Sequence, residues 1–405
     1  MRIIEIKEGG DLNIYLGSKD GKPIVLKEGE KYVLNDVNAY SIKETHKFTK
    51  NIAIGDFRRF YKQYNGQDLD NKTLVTYRTG GAGDILFMTP GLRFLKEKYP
   101  TCKIVVCTSI AYEDLLTTNP YVDEFKAIPT NLKVFEEADY HILFERIIEE
   151  NIMAEYENAY DLYLYRMGLL SKFREFYKEE DFKRKMLPVV VLEEDKVEYV
   201  KDLFEEYEVN DGDIKIGIHP WSTTLLRNYS MDNTLNLVGI LASLGIKVFL
   251  LGGKGDADGA DFVRGSVKED LRKNIINLAN HSDDFGYTSA MVSLMDAVVG
   301  IDSSILHIAG ALGVPVVGLF GPFKSIFRIG YYVRSVGIEA KLRCAPCYIH
   351  GPYPCRYSNE SGTSPCMEII KPEIIIDALD LIFESQGKKK IKSIAEEKIN
   401  EKNNK

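Results

Sequence analysis

The stretch Val299-Gly-Ile-Asp302-Ser303-Ser304-Ile-Leu-His307-Ile-Ala-Gly-Ala-Leu-Gly-Val-Pro315-Val-Val-Gly-Leu-Phe-Gly-Pro322 holds a strand, a polar turn, a helix and a second strand in succession. An apolar run from Asp296 to Ile301 ends at Asp302, Ser303 and Ser304, where the next helix begins. The first N–H groups of a helix have no partner within it and can hold an anion. His307 follows one turn later. In a doubly wound sheet, ligands bind at the carboxyl ends of the strands, so this turn is where chemistry or phosphate binding is expected. The run from Asp296 to Pro322 is apolar enough to suggest a membrane helix. Asp302, His307, Pro315, five glycines and a change of period part-way make it buried α/β core instead.

Outward from this stretch, strand and helix alternate. Thr73-Leu-Val-Thr-Tyr77 leads through a glycine turn to a helix over Pro90 to Tyr99, then to the strand Lys103-Ile-Val-Val-Cys-Thr108. A second series opens at Ile214-Lys-Ile-Gly-Ile-His219, continues through a helix over Asp232 to Leu244, and returns at Val248-Phe-Leu-Leu. Such alternation predicts parallel sheets covered on both faces. Two series predict two Rossmann-like domains facing across a cleft that holds the ligand. Residues 1–68 read as a small β-rich module and linker, with turn chemistry at Lys19-Asp-Gly-Lys-Pro23. Residues 69–205 form the first Rossmann-like domain and 206–385 the second. Residues 386–405 are highly charged and predict a frayed tail.

At 405 residues and 45% hydrophobic content, the chain can fill a core in each domain. Its net charge of −8 argues against nucleic-acid binding over a broad basic face. The opening Met1-Arg-Ile-Ile-Glu-Ile-Lys-Glu8 lacks the apolar region of a signal peptide, which predicts a cytoplasmic protein.

Three turns carry candidate chemistry besides the first. In Arg78-Thr-Gly80-Gly81-Ala-Gly83-Asp84, glycines let backbone approach a ligand and open into a helix N-terminus, without forming the dinucleotide fingerprint. Asp84 reads either as a helix N-cap or as a general base taking a proton from an acceptor hydroxyl. In His219-Pro-Trp-Ser222-Thr223-Thr-Leu-Leu-Arg227, two hydroxyls and a guanidinium suit a pyrophosphate. In Leu251-Gly-Gly-Lys-Gly-Asp256-Ala-Asp258, a carboxylate could accept from ribose hydroxyls, or the loop is simply solvated.

Together these residues resemble glycosyltransferase family 9, the ADP-heptose:lipopolysaccharide heptosyltransferases, over about residues 72–380. Asp302 to Pro322 is the most specific part and Gly83-Asp84-Ile-Leu86 the next. The resemblance implies a GT-B fold, an acceptor bound by the first domain and a nucleotide sugar by the second. It implies inverting transfer with no required cofactor and no catalytic metal, of a sugar such as a heptose, from an ADP-heptose-like donor to a glycan or lipid-linked glycan. Asp84 matches the family's proposed base, with Gly80, Gly81 and Gly83 forming the acceptor or phosphate loop. Arg227 stands where a phosphate-binding Lys is usual, beside Ser222 and Thr223. Asp302, Ser303, Ser304 and His307 match the donor turn, and Asp256 the ribose acid approximately. The chain departs from the family at Ser304 in place of Gly and at Phe323 in place of Thr. A reading from a different class is a nucleotide-sugar or glycan-binding protein that kept the fold without the chemistry.

Cys344-Ala-Pro-Cys347, Cys355 and Cys366 offer the ligand count of a structural zinc site; disulfides and reduced thiols remain open readings. The aromatic and basic stretch Phe57-Arg-Arg-Phe-Tyr-Lys-Gln-Tyr64 suits either packing between the module and the first domain or peripheral contact with the inner face of the membrane. His219 reads as structural. The tyrosines between 156 and 177 read as a core or interface face, or as a platform for acceptor sugars.

Overall fold

The computed structural model describes residues 1–15, 23–281, 284–351, 354–358 and 362–403. The predicted turn at Lys19-Asp-Gly-Lys22 lies outside them. The chain divides into two units, Met1–Asn151 with Tyr160–Lys178, and Ile152–Ala159 with Glu179–Lys405.

The first unit opens with strands β1 (Arg2–Glu8), β2 (Leu12–Ile14), β3 (Ile24–Leu26), β4 (Lys31–Leu34) and β5 (Asn51–Asp56). It continues with β6 (Thr73–Tyr77), β7 (Lys103–Thr108), β8 (Glu124–Ala127), β9 (Thr130–Asn131) and β10 (Tyr140–Leu143). β6, β7, β8 and β10 form a parallel sheet in the order β10-β6-β7-β8. β6 and β7 are apolar and almost wholly buried, as a sheet covered on both faces requires. β1, β4 and β5 form an antiparallel sheet, β5-β1-β4-β9, whose last strand comes from residues between β8 and β10.

The N-terminal strands therefore do not stand apart as their own body. Ile4, Ile6, Val33 and Leu34 share one buried cluster with Val75, Tyr77, Val105 and Phe135 of the parallel sheet and its flanks. The stretch from Phe57 to Tyr64 joins the two sheets. Phe57 is buried edge-on against Phe135, at a centroid distance of 5.0 Å, and Tyr61 stacks on His141 at 5.9 Å. His141 accepts from Lys62 N at Nδ1 (2.9 Å) and has the Phe135 carbonyl at Nε2 (2.9 Å).

The second unit holds one parallel sheet of β11 (Lys215–His219), β12 (Lys247–Leu250), β13 (Ile275–Asn277), β14 (Ala297–Ile301), β15 (Val316–Phe320) and β16 (Ser335–Glu339). Its order is β13-β12-β11-β14-β15-β16. From β11 the chain steps outward through β12 and β13, then returns to the other side of β11 at β14. The loops after β11 and β14 thus diverge at a switch point, where open α/β sheets bind ligands. In the first unit, β6 and β10 bear the same relation.

Two elements differ from the sequence expectation. The helix expected over Pro90 to Tyr99 begins eight residues earlier, as Ala82–Lys98, because Gly81 caps it and the first glycine turn runs straight into helix. Residues 386–405, expected to fray, carry the helix Ile391–Asn403. Ile391 is buried, and its N–H donates to the Asp380 carboxylate at 2.5 Å, with Lys392 N at 3.4 Å. Among the described residues no helix is long and apolar enough to cross a membrane.

Asp380→Ala is expected to leave the buried Ile391 N–H without a partner. It should cost about 1–3 kcal/mol in urea unfolding, the usual penalty for an unsatisfied buried donor.

Candidate functional site

Arg78 follows β6 directly and its side chain is 2% exposed. A guanidinium buried this deeply must be paired. It donates to the Phe144 carbonyl (3.0 Å) and to Glu149 (2.7 Å), and pairs with Asp84 Oδ1 at 2.9 Å. Thr79 holds Glu145 through its N–H (2.6 Å) and hydroxyl. The loops after β6 and β10 are therefore tied together at their switch point. Asp84 sits at the third helical position, where Oδ2 accepts from the Gly81 N–H at 2.9 Å; Gly81, not Asp84, is the N-cap. Tyr163 donates to Asp84 Oδ1 at 3.0 Å. A side chain on Gly80 would begin 2.3 Å from Asp84 Oδ2 and 2.4 Å from Arg78 Nε, so this position needs glycine.

The second unit repeats the device. Gly252-Gly253-Lys-Gly-Asp256 after β12 matches Gly80-Gly81-Ala-Gly-Asp84 after β6. Asp256 accepts from the Gly253 N–H at 3.0 Å, the same capping box. Burial raises its carboxyl above the ordinary value, offset in part by that N–H.

At the switch point between β11 and β14, Asp302 is buried and three groups converge on it. Arg328 Nε lies 3.3 Å from Oδ2. Arg227 NH1 lies 3.5 Å from the same oxygen and donates to the Asp302 carbonyl at 3.0 Å. His307 Nε2 lies 3.5 Å from Oδ1. Burial pushes the Asp302 carboxyl up, but Arg227, Arg328 and His307 together outweigh it and hold the group well below the usual carboxylate range. Phe323 lies against both guanidiniums, 5.0 Å from Arg227 and 4.7 Å from Arg328, within cation–π range. On the far side of His307, Nδ1 meets the Tyr332 hydroxyl at 2.5 Å. The Tyr332 ring lies where a Gly310 side chain would begin, 2.3 Å away, so glycine there lets the ring reach His307.

Ser303 is the N-cap of the helix Ser304–Ala311, yet its side chain makes no capping bond. Its Oγ instead pairs with His219 Nδ1 at 3.0 Å, which ties the loop after β11 to that after β14. Ser303 thus does not cap the first N–H groups of that helix, which suits an anion site. Ser304 opens the helix with ordinary backbone angles, so serine fits where the family has glycine. Ser222 Oγ accepts from Thr224 N (3.0 Å), and Thr223 is exposed beside it.

Among the described residues no group of three or more His, Cys, Asp or Glu side chains could hold a metal ion. Cys344 is exposed, Cys347 and Cys355 are half-buried, and Cys366 is buried. Burial, then the neighbouring Cys347, Cys355 and Cys344, push the Cys366 thiol up to about 11. The loop bearing them packs on the turn after β15: Tyr348 N donates to the Pro322 carbonyl at 2.9 Å, and the His350 and Phe323 rings are 4.4 Å apart.

Four residues of these clusters escape a reading of the sequence. Arg78 lies inside the first turn without an assigned role, and Tyr163 reads there only as one of a tyrosine face. Arg328 and Tyr332 lie beyond Asp302 to Pro322, the most specific part of the family-like stretch. Only a charge at a strand end, in the case of Arg78, is a usable signal.

The family model of glycosyltransferase family 9 (heptosyltransferase) matches residues 144–352, more than half of the chain. The chain belongs to glycosyltransferase family 9. Among solved structures, this family 9 chain resembles the glycosyl transferase family 9 protein of Veillonella parvula DSM 2008, with a TM-score of 0.60 at 16% identity over 79% of this chain and 99% of that one. It is similar to the E. coli ADP-heptose LPS heptosyltransferase II, with a TM-score of 0.58 at 16% identity over 78% and 99%. The dodecameric iron-containing heptosyltransferase TibC of enterotoxigenic E. coli H10407, in complex with ADP-D-β-D-heptose, matches with a TM-score of 0.53 at 12% identity, over 95% of this chain and 96% of its own. At these identities the likeness is one of fold. No curated protein matches the chain.

Two outcomes follow from this geometry. Gly80→Ala is expected to part Arg78 from Asp84 and cost about 1–3 kcal/mol in urea unfolding, as overpacking does, whereas Gly81→Ala, with 3.9 Å of room, should cost only the difference between glycine and alanine at an N-cap, under about 1 kcal/mol. Burial holds both His219 and His141 down at about 4, against an ordinary 6.5. Between those values the unfolded chain binds protons that the folded chain does not, so stability falls as pH drops from 6.5 toward 4. His219→Gln should flatten the slope of unfolding free energy against pH in that window.

Proposed function

We propose that this family 9 chain is an inverting glycosyltransferase that uses a nucleotide-diphosphate sugar, of the ADP-heptose kind, and a glycan or lipid-linked glycan acceptor. The observation that carries the reading is the buried group at the β11–β14 switch point. There two guanidiniums outnumber one carboxylate beside a helix N-terminus without a side-chain cap. Excess positive charge held there is suited to a diphosphate, and most of all to one that gains negative charge as it departs. Relatives named as heptosyltransferases, one of them in complex with ADP-D-β-D-heptose, support the donor class.

In this reading the second unit holds the donor. Arg227, the Ser222 and Thr223 hydroxyls and the first N–H groups of Ser304–Ala311 take the diphosphate, and Asp256 takes the ribose. The first unit takes the acceptor. Asp84 removes the proton from the acceptor hydroxyl as its oxygen attacks the anomeric carbon, and the bond to the diphosphate oxygen breaks on the opposite face. Arg78 and Tyr163 orient Asp84 by holding Oδ1, and the Gly81 N–H holds Oδ2. Remaining lone pairs on both oxygens are free for the substrate proton.

TibC is named as iron-containing. Four thiols are suitable iron or zinc ligands, and Cys344, Cys347, Cys355 and Cys366 of this chain would be the residues to hold such an ion. No step is assigned to a metal.

A second reading, a binding protein without turnover, is favoured by the three hydrogen-bonding groups already on Asp84. Asp84→Asn separates the two. Transfer to a sugar acceptor should fall at least about a thousandfold while ADP affinity, measured by calorimetry, stays within a few-fold; full turnover in the variant would remove Asp84 from the mechanism.

A further inference from the structure

The two guanidiniums on Asp302 are not equivalent. Arg328 is 3% exposed and Arg227 22%. Arg227 reaches inward from the loop that also carries Ser222 and Thr223, and its main hydrogen bond is to the Asp302 backbone carbonyl, not to the carboxylate. Arg328 comes from the short helix Ile326–Ile329 after β15 and packs its guanidinium on Phe323. One donor of each guanidinium, Arg328 NH1 and Arg227 Nε, is buried with no hydrogen-bond partner among the described residues.

Such a group raises a question of charge balance. A buried carboxylate that loses its counter-ion is strongly destabilised, so Arg227 can turn to a phosphate only if Asp302 keeps another cation. His307 Nε2 on the other oxygen is 3.5 Å away and need not be charged. Arg328 can fill that role: it is too deeply buried to reach a ligand, already holds Oδ2, and has an unused N–H to take up what Arg227 releases.

We propose that Arg328 is a positioning residue, the standing counter-ion of Asp302, which frees Arg227 to bind the diphosphate of the donor. This rests on the donor reading above. Phe323, where the family resemblance leads one to expect threonine, belongs to the same device, since its ring lies against the guanidinium that stays and the one that leaves. Arg328 acts through Arg227 and touches no substrate.

The test is a double-mutant cycle of Arg328→Met and Asp302→Asn on the full chain, with Arg328→Lys as the conservative variant. It is read by calorimetric titration with ADP and by urea unfolding without ligand. With the native aspartate present, Arg328→Met should weaken ADP binding at least about tenfold and lower the urea midpoint, and Arg328→Lys should restore most of both. In the Asp302→Asn background no carboxylate holds Arg227, so Arg328→Met should change ADP affinity less than about twofold and no longer lower the midpoint. Equal loss of ADP affinity in both backgrounds would mean that Arg328 contacts the ligand directly, and would overturn the proposal. So would a lowered midpoint with unchanged ADP affinity, the mark of a purely structural residue. If the wild-type chain binds none of ADP, GDP and UDP, the donor reading falls and this proposal with it; if it binds one and Arg328→Met binds it equally well, this proposal alone fails.

Discussion

One buried carboxylate organises the second unit. Asp302 follows β14 with its side chain out of water, and an unpaired charge there would be untenable. Three long side chains are brought in from separate places to meet it: Arg227 from the loop after β11, Arg328 from beyond β15, and His307 from the helix that Asp302 itself precedes. Each of these in turn fixes a neighbour. His307 holds Tyr332, the two guanidiniums hold Phe323, and the serine next to Asp302 holds His219. The positions of the loops at the carboxyl edge of the sheet thus follow from satisfying one charge.

The first unit solves the same problem with the sign reversed. Arg78 is the buried charge at the end of β6, and Asp84, Glu149 and the Phe144 carbonyl are its partners. Both units also use a Gly-Gly-x-Gly-Asp turn, in which the aspartate caps the glycine three residues before it. The shared turn leaves Asp84 and Asp256 in different electrostatic surroundings. Asp84 has a buried cation on one oxygen, whereas Asp256 has a single backbone N–H to offset its burial. One local motif therefore supplies two carboxylates of distinct character, and the difference lies in what the rest of each unit brings to it.

How much of this was legible follows the range of each interaction. The Asp302 to His307 turn, the Gly80 to Asp84 turn and the Ser222 to Arg227 loop are each contained in a few residues, and the alternation of apolar strands with helices exposes them as strand ends. The capping role of Asp84 was within reach too, although the cap itself is Gly81. Tyr163 was visible only as one of several tyrosines at helical spacing. Its bond to Asp84 spans 79 residues, and no local pattern distinguishes it from its buried neighbour Tyr160. Arg328 is 26 residues from Asp302, beyond the last strand of the recognisable stretch. The cysteine spacing offers the ligand count of a metal centre, because ligand count is legible in a sequence; the burial that sets Cys366 apart from the exposed Cys344 is not.

By itself the sequence determined the class of fold, the two parallel sheets and the turns at their carboxyl edges, since these depend on period and on residues close in the chain. Tertiary structure decided three other things. It merged the N-terminal strands with the first sheet through a common core, and it anchored the charged C-terminal segment on Asp380. It also chose the partners of each buried charge. The physical reason is the same throughout: apolar periodicity is written locally, but a charge removed from water takes whatever partner the fold brings within about 3 Å, wherever that partner lies in the chain.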